Sequence, residues 1–571
     1  MTDAPNIALV FDPDGYVEET RASGRMNAPA GLMGRQVAGK EFLDAYLTHG
    51  RWNALTAVVR NRDRAQALVD LCRTHPSSRA RPRRLQIVEI AELAARFDGS
   101  DRPADAVHFP CPPDATFAWA RHAAAPAGFA LCGVTHTLAS AAGVGALTDL
   151  LTAPFEPYDA LVCTSRAVLD MVSAITGSFA DYLRDRFSGT VTLRPRLELI
   201  PLGVDLARFH PASAEERAAA RIRFAVAEDE VLVLCVGRLS HHAKAHPFPV
   251  FHAAQQAARR SGRKVHLLFA GWFAHAAVAQ EYRAAARYFA PSVRTTFADG
   301  QDPVVRATVR GAADVFISLP DNLQETFGLV VTEAMASGLP VVGSDWDGYR
   351  DLIADGETGY LVSTRMVRGA TASSTERLLF GGVNYDRFLA ECSQATAVDP
   401  SAAADALTRL VSDDALRRAM GEAGRRRAVE RFGWARIIAA YETLWAEQGR
   451  DVAKHRRESR STPGPVRYPA PERSFVSYPS EWIDDTGRLR TADDALPRLS
   501  ALLTMPLTNL AAERRCADPG VLAALLRAST TPRSVGDLAG ELVRTGTAPE
   551  AARATVAWLL KYDLLTPEIP A

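Results

Sequence analysis

The sequence predicts an α/β protein in which two parallel sheets face each other across a cleft, with a small, mostly helical domain after them. Three observations carry that prediction. Short apolar runs of strand length alternate with helical stretches from Ile7 to about Thr164, and the alternation restarts at Val231. A connecting passage, Leu199-Ile200-Pro201-Leu202-Gly203-Val204-Asp205, separates the two series. Past about residue 450 the alternation stops, and a polar, Pro-rich stretch leads into short helices. Alternation of strand and helix implies a parallel sheet covered on both faces, and 571 residues exceed what one core supports.

Taken in order, Ile7–Phe11 is the first strand. A Gly- and Asp-rich loop follows and ends in Gly31-Leu32-Met33-Gly34-Arg35, before a helix from about Gln36 to Thr48. Glycines at such a turn let backbone approach a ligand closely. Leu55–Val59, Leu85–Ile90, Ala106–Phe109, Phe129–Val134 and Ala160–Thr164 are the next strands. Three spots here stand at strand ends, where ligands bind in such sheets: His108, His136 and Ser165. His136 is a candidate proton carrier or sugar partner, set against the plainer reading of a structural histidine. Ser165 reads as a helix N-cap, and Arg79-Arg81-Arg83-Arg84 as a solvated loop. In the second series, Val231–Val236 runs into Gly237-Arg238-Leu239-Ser240 and then Lys244. Two fixed cations after a strand end suit a diphosphate. Lys264–Ala270, Thr295–Ala298 and Val315–Leu319 continue the series.

The stretch Val315–Asp351 is the most informative. A buried-type strand is followed by the polar turn Pro320-Asp321-Asn322, then Gln324-Glu325-Thr326-Phe327-Gly328, and a helix from about Leu329 to Ser337. Gly338 suits the left-handed position past the helix, and Pro340 stops it. The helix N-terminus then faces out of the carboxyl edge of the sheet, where backbone N–H groups favour phosphate. Glu325 stands at the mouth and Glu333 about two turns down the helix. Acceptors at two depths beside a phosphate-friendly helix end suit a nucleotide sugar, with hydroxyls on both sides of a diphosphate.

Composition narrows the classes. Net charge is zero, so no global field draws the chain to nucleic acid or membrane. Hydrophobic residues are 47% and charged residues 23%, ordinary for a globular protein. The cysteines Cys72, Cys111, Cys132, Cys163, Cys235, Cys392 and Cys516 form no CxxC pair, and read as thiols in a reducing compartment. No secretory leader and no run of membrane-spanning length is expected, which points to a cytoplasmic protein.

Six ordered segments resemble the retaining glycosyltransferases of the GT-B fold, in particular the large family 4 group. They are Ile200-Pro-Leu-Gly-Val-Asp with Phe209; Val236-Gly-Arg-Leu; Ala313-Asp-Val-Phe-Ile; Glu325-Thr-Phe-Gly-Leu with Glu333-Ala-Met-Ala-Ser-Gly-Leu-Pro-Val-Val; Gly356-Glu-Thr-Gly-Tyr-Leu-Val; and Phe432-Gly-Trp434. The resemblance covers roughly residues 30–450. It implies two Rossmann-like domains, 1–210 for the acceptor and 211–432 for the donor, and a helix at 433–450 crossing back onto the first. Arg238 and Lys244 would hold the donor diphosphate. Glu325 would meet the transferred sugar, with Thr326, Phe327, Gly328 and Leu329 around it, and Glu333 the ribose. Gly31 and Gly34 would approach the phosphates from the other wall, and His136 would face the reacting sugar. The co-substrate would be a UDP-, GDP- or ADP-sugar, the acceptor a glycan, lipid, small molecule or protein, and no metal or other cofactor would be required. The family keeps anomeric configuration.

Three features depart from that pattern. Ser240-His241-His242-Ala243-Lys244-Ala245-His246 replaces a Pro-Glu-Lys-Gly run, and its histidines lack the second cluster a metal would need. Asp345-Trp346-Asp347-Gly348 replaces a Gly-Gly pair and reads as a loop near donor or acceptor, not a metal site. Met366–Thr396 is an insertion without period, expected as a loop at the cleft rim. After a linker at 451–474, residues 475–571 are expected as a winged-helix-like module with helices at Val521–Arg527, Val535–Val543 and Pro549–Tyr562. Its mostly Ala, Val and Leu last helix favours protein interaction or dimerisation over nucleic acid. Other readings stay open: a GT-B sugar-nucleotide epimerase or glycan phosphorylase, or a binding or regulatory protein on that scaffold.

Overall fold

The computed structural model describes residues 6–16, 34–51, 54–77, 84–93, 104–124, 128–458, 467, 469–508 and 518–568. Gly31, Cys516 and Arg79, Arg81 and Arg83 lie outside the described residues. The chain divides into two compact units, Met1–Tyr468 and Pro469–Ala571.

Two parallel sheets build the first unit, as the sequence predicts. One has the order β3-β2-β1-β4-β5-β6-β7, from β1 (Ile7–Val10), β2 (Ala54–Val59), β3 (Arg84–Glu89), β4 (Ala106–Phe109), β5 (Ala130–Val134), β6 (Ala160–Cys163) and β7 (Arg196–Leu199). The other has the order β10-β9-β8-β11-β12-β13, from β8 (Glu230–Arg238), β9 (Lys264–Trp272), β10 (Arg294–Asp299), β11 (Val315–Ser318), β12 (Val341–Ser344) and β13 (Gly359–Val362). Each sheet winds one way from its first strand and then the other. The crevice outside the strand carboxyl ends therefore opens between β1 and β4 and between β8 and β11. β4, β5, β6, β11 and β12 are buried at every residue, as strands covered on both faces must be. His108 on β4 is one of these. Its ring lies 5.0 Å from Phe42 and edge-on to Tyr441 and Trp445, and burial pushes its pKa down to about 3. It is a core residue, not a site histidine.

The chain passes between the sheets twice, and the two passages run side by side. Val204 N–H donates to Phe432 O (2.8 Å), and Val204 and Gly433 form a parallel bridge. The helix Trp434–Glu458 then returns to the first sheet, burying Trp434, Ile437, Ile438, Tyr441 and Trp445 with Phe42 and Tyr46. Gln448 anchors it by donating to Leu131 O (3.2 Å) and Tyr158 O (2.9 Å).

Residues 366–396 are not the loop expected from the sequence. β14 (Thr364–Met366) and β15 (Thr396–Val398) pair antiparallel, and between them lie the helices Ala372–Leu379 and Tyr385–Gln394. Phe388, Leu389 and Cys392 on the second helix bury against Ala243. The first helix buries only Ser374 among its residues, so it has no apolar stripe to reveal its period.

The second unit contains helices Ala495–Thr504, Pro519–Ala528, Val535–Arg544 and Pro549–Lys561. It also has a three-stranded antiparallel sheet, β17-β16-β18, of β16 (Arg488–Thr491), β17 (Arg533–Ser534) and β18 (Leu565–Pro567). Its strands are too short for an alternating pattern to register. Leu499, Leu522, Leu526, Leu538, Leu542 and Leu559 close a core of their own.

The double passage makes a sharp stability prediction. A Cβ on Gly203 would stand 2.2 Å from the Trp434 ring, which its own packing holds in place. Gly203→Ala is expected to cost about 1–3 kcal/mol and to lower the melting temperature in a thermal unfolding scan. Gly145→Ala, in a helix and with nothing within 4 Å of the new Cβ, is expected to leave it unchanged or raise it.

Candidate functional site: a cleft between the two sheets

One wall begins at the end of β8. Gly237 takes φ +141°, which a glycine tolerates, and turns the chain out of the strand. Arg238 Nη2 donates to Ala243 O (3.1 Å) and to Gln324 Oε1 (3.2 Å); burial pulls its pKa down. The Ser240–His246 loop is tied to the polar turn after β11. Asn322 is fully buried, donates to His242 O (2.7 Å) and accepts from Gln324 N–H (2.9 Å). Asp321 accepts from His246 N–H (3.3 Å), and burial pushes its carboxyl up to about 7. Lys244, brought over by that loop, forms an ion pair with Glu325.

The turn then enters the helix Leu329–Ala336. Phe327 is buried and meets Phe432 edge-on at 6.2 Å. Gly328 takes φ +106°, and a Cβ there would stand 2.4 Å from the Tyr349 ring; no other residue fits. The first turn of a helix leaves N–H groups without intrahelical partners, and here that end faces the cleft. Glu333, further along the helix, pairs with Arg310 of the helix Pro303–Ala312. Arg310 is stacked 4.9 Å from the centre of the Phe209 ring, and Arg208 is also 4.9 Å from it.

The facing wall comes from the first sheet. His136 follows β5 and lines the cleft. Ser165 caps the helix Arg166–Phe187, accepting from Val168 N–H (3.3 Å). Its hydroxyl also donates across the cleft to Thr326 O (2.8 Å). Next to it, Arg166 N–H donates to Asp351 Oδ2 (2.7 Å). The N-cap therefore also fastens the two walls together. Gly34 opens the helix Gly34–His49.

Between the walls is a cavity of about 720 Å³. It brings together His136, Arg238, Lys244, Glu325, Thr326, Phe327, Gly328, Leu329 and Glu333. Sequence reasoning missed Glu41, Arg208, Arg310 and Tyr385, which line the same cavity. Arg310 and Glu41 stand in helices outside the six segments that carry the resemblance, and Tyr385 belongs to the insertion. Asp345 and Asp347 do not converge: Asp345 accepts from Arg350 Nε (2.6 Å) and Asp347 from Tyr349 N–H (3.2 Å). Asp347 takes φ +40°, and its Oδ2 is buried with no hydrogen-bond partner. Burial, and then the charge of Glu325, push its pKa well up. Among the described residues no three His, Cys, Asp or Glu side chains group as a metal would require, and no helix is long and apolar enough to cross a membrane.

Comparison with known proteins bears on residues 216–379, which match the family "Glycosyl transferases group 1". The chain is 36% identical over 171 residues to a D-inositol 3-phosphate glycosyltransferase of Nocardia farcinica, covering 30% of this chain and 37% of that relative. It is 36% identical over 110 residues to a phosphatidyl-myo-inositol mannosyltransferase of Mycobacterium leprae, covering 19% and 29%. The chain thus spans well under half the length of these relatives. Among solved structures it is similar to Anabaena Alr3699/HepE in complex with UDP, at 14% identity and a TM-score of 0.46, covering 80% of this chain and 100% of that one. The family match thus lies over the second sheet and the helices around it.

Proposed function

We propose that this protein transfers a sugar from a nucleotide-sugar donor to an acceptor hydroxyl, with retention of anomeric configuration. The observation that carries the reading is the order in which one cavity holds Glu333, the helix N-terminus with Arg238 and Lys244, and Glu325. Glu333 lies along the helix from Gly328, Glu325 stands before its N-terminus, and Arg238 and Lys244 come from the neighbouring strand end. A nucleotide sugar has the matching order of ribose hydroxyls, diphosphate and sugar hydroxyls.

In this reading the helix N-terminus, Arg238 and Lys244 hold the diphosphate. Lys244 leaves Glu325 for the phosphate, and the freed carboxylate accepts from the sugar. His136 faces the sugar from the other wall. The acceptor oxygen attacks C1 on the face the diphosphate leaves. The C1–O(phosphate) bond breaks as C1–O(acceptor) forms, and the departing phosphate oxygen takes the acceptor's proton. Catalysis then rests on positioning and on stabilising leaving-group charge, with no protein nucleophile. Arg238 and Lys244 supply the positive charge, so no divalent metal is needed. The second unit serves protein interaction: Phe475, Val476, Tyr478 and Trp482 are exposed, and Arg553 of its last long helix is tied to Asp485.

Arg238→Ala and Glu325→Ala are each expected to lower kcat/KM for transfer about 100-fold or more, with the melting temperature within a few degrees of the parent. Full activity in both would refute the proposal. A thermal-shift panel of UDP-, GDP- and ADP-sugars should show stabilisation by one nucleotide class. Transfer should survive excess EDTA, and NMR of the first-formed product should show the donor's anomeric configuration; inversion would remove the front-face step.

A further inference from the structure

Glu41 is the one cavity carboxyl that sequence motifs do not account for. It projects from the helix Gly34–His49 of the first domain, one turn after Ala38, which packs in the core of the donor domain. The helix thus carries Glu41 to the donor wall, beside Glu333, Arg310 and Arg208. Its side chain is 13% exposed. Oε1 is buried without a hydrogen-bond partner, and the nearest cation, Arg208 Nη1, stands 3.7 Å away, beyond hydrogen-bond reach. An unsatisfied carboxyl oxygen in a ligand-sized cavity is costly to hold, and here it faces a second carboxylate.

We propose that Glu41 is a ligand of the donor's nucleoside, closing on the ribose diol from the wall opposite Glu333. This rests on the glycosyltransferase reading above and adds a residue to it. This end of the cavity presents two carboxyls beside Arg310 and Arg208. A diol is suited to it, because each hydroxyl both donates and accepts. Glu333, paired with Arg310, accepts from one hydroxyl. Glu41 in its acid form donates to the other. The acid form is the one the surroundings favour. Burial first, then Glu333, and also Asp205, push its pKa up, while Arg208 and Lys40 oppose them; the outcome is about 8. Arg310 also faces Glu41, and Lys40 is engaged with Asp44 at 2.6 Å. As pH rises through about 8, Glu41 ionises beside Glu333, the donor is lost and binding weakens.

The test is calorimetric titration of the full chain with UDP, GDP and ADP and their 2′,3′-dideoxy counterparts at pH 7 and pH 9. The parent should prefer the ribose form of whichever diphosphate binds. Glu41→Ala should shrink that preference about tenfold and leave the dideoxy affinity unchanged. Glu41→Gln, which keeps a neutral donor and acceptor, should retain it at pH 7 and, unlike the parent, at pH 9. An undiminished ribose preference in Glu41→Ala overturns the inference alone. Failure of all three diphosphates to bind the parent overturns the glycosyltransferase reading, and this inference with it.

Discussion

Everything in the cleft depends on the place where the chain passes between its two sheets. Val204 is paired with the Phe432–Gly433 backbone, and Gly203 is pressed against Trp434 so closely that a methyl group would collide. Two covalent passages held side by side restrict one sheet against the other far more than a single linker does. The helix Trp434–Glu458 adds its buried aromatic stripe to the first domain. Its Glu442 accepts from Arg51 Nε (2.7 Å). The carboxyl edges of both sheets are thereby kept facing the same cavity, and Ser165 and Arg166 pin the far side by hydrogen bonds to Thr326 and Asp351.

In the ligand-free chain, charged groups of that cavity have protein partners. Lys244 is paired with Glu325 and Arg310 with Glu333. Such partly buried pairs offset the cost of removing their charges from water but contribute little beyond that. They are also easily exchanged. A ligand carrying negative charge can take the lysine, and one carrying hydroxyls can take the carboxylate, without leaving either charge bare. The site is therefore preorganised by its own ion pairs.

The architecture was legible where a physical rule has one answer. Gly338 does adopt positive φ, and the strand–helix–strand unit around it has the extent its apolar pattern announces. The alternation of elements gave two sheets because strands buried on both faces read as continuous apolar runs. What stayed hidden is what sequence distance conceals. Arg310 and Glu333 meet across two helices 23 positions apart, and Glu41 reaches them from another domain. The insertion was read as a loop because its first helix has no buried stripe, while Tyr385, which begins the second, lines the cavity. Arg121 and Asp159, a fully buried pair joined at 2.6 and 2.7 Å, likewise leave no local signature. Each looks like an ordinary surface charge until the fold brings it to its partner.

The two ends of the cavity turn out to follow one electrostatic plan. At one end Glu325 is paired with Lys244, and Asp347 has a carboxyl whose pKa burial and Glu325 push up. At the other end Glu333 is paired with Arg310, and across from it Glu41 is pushed up in the same way. In both places burial opposes ionisation of the second carboxyl first, and the neighbouring carboxyl adds to it. Each end therefore carries one carboxyl paired with a cation and a second carboxyl whose ionisation its surroundings oppose. Arg238 stands apart from this balance, donating to the neutral oxygens of Ala243 and Gln324. Arg208 and Arg306 also line the cavity, so its cations outnumber its carboxyls, and the lining as a whole favours a ligand that carries negative charge together with hydrogen-bonding groups.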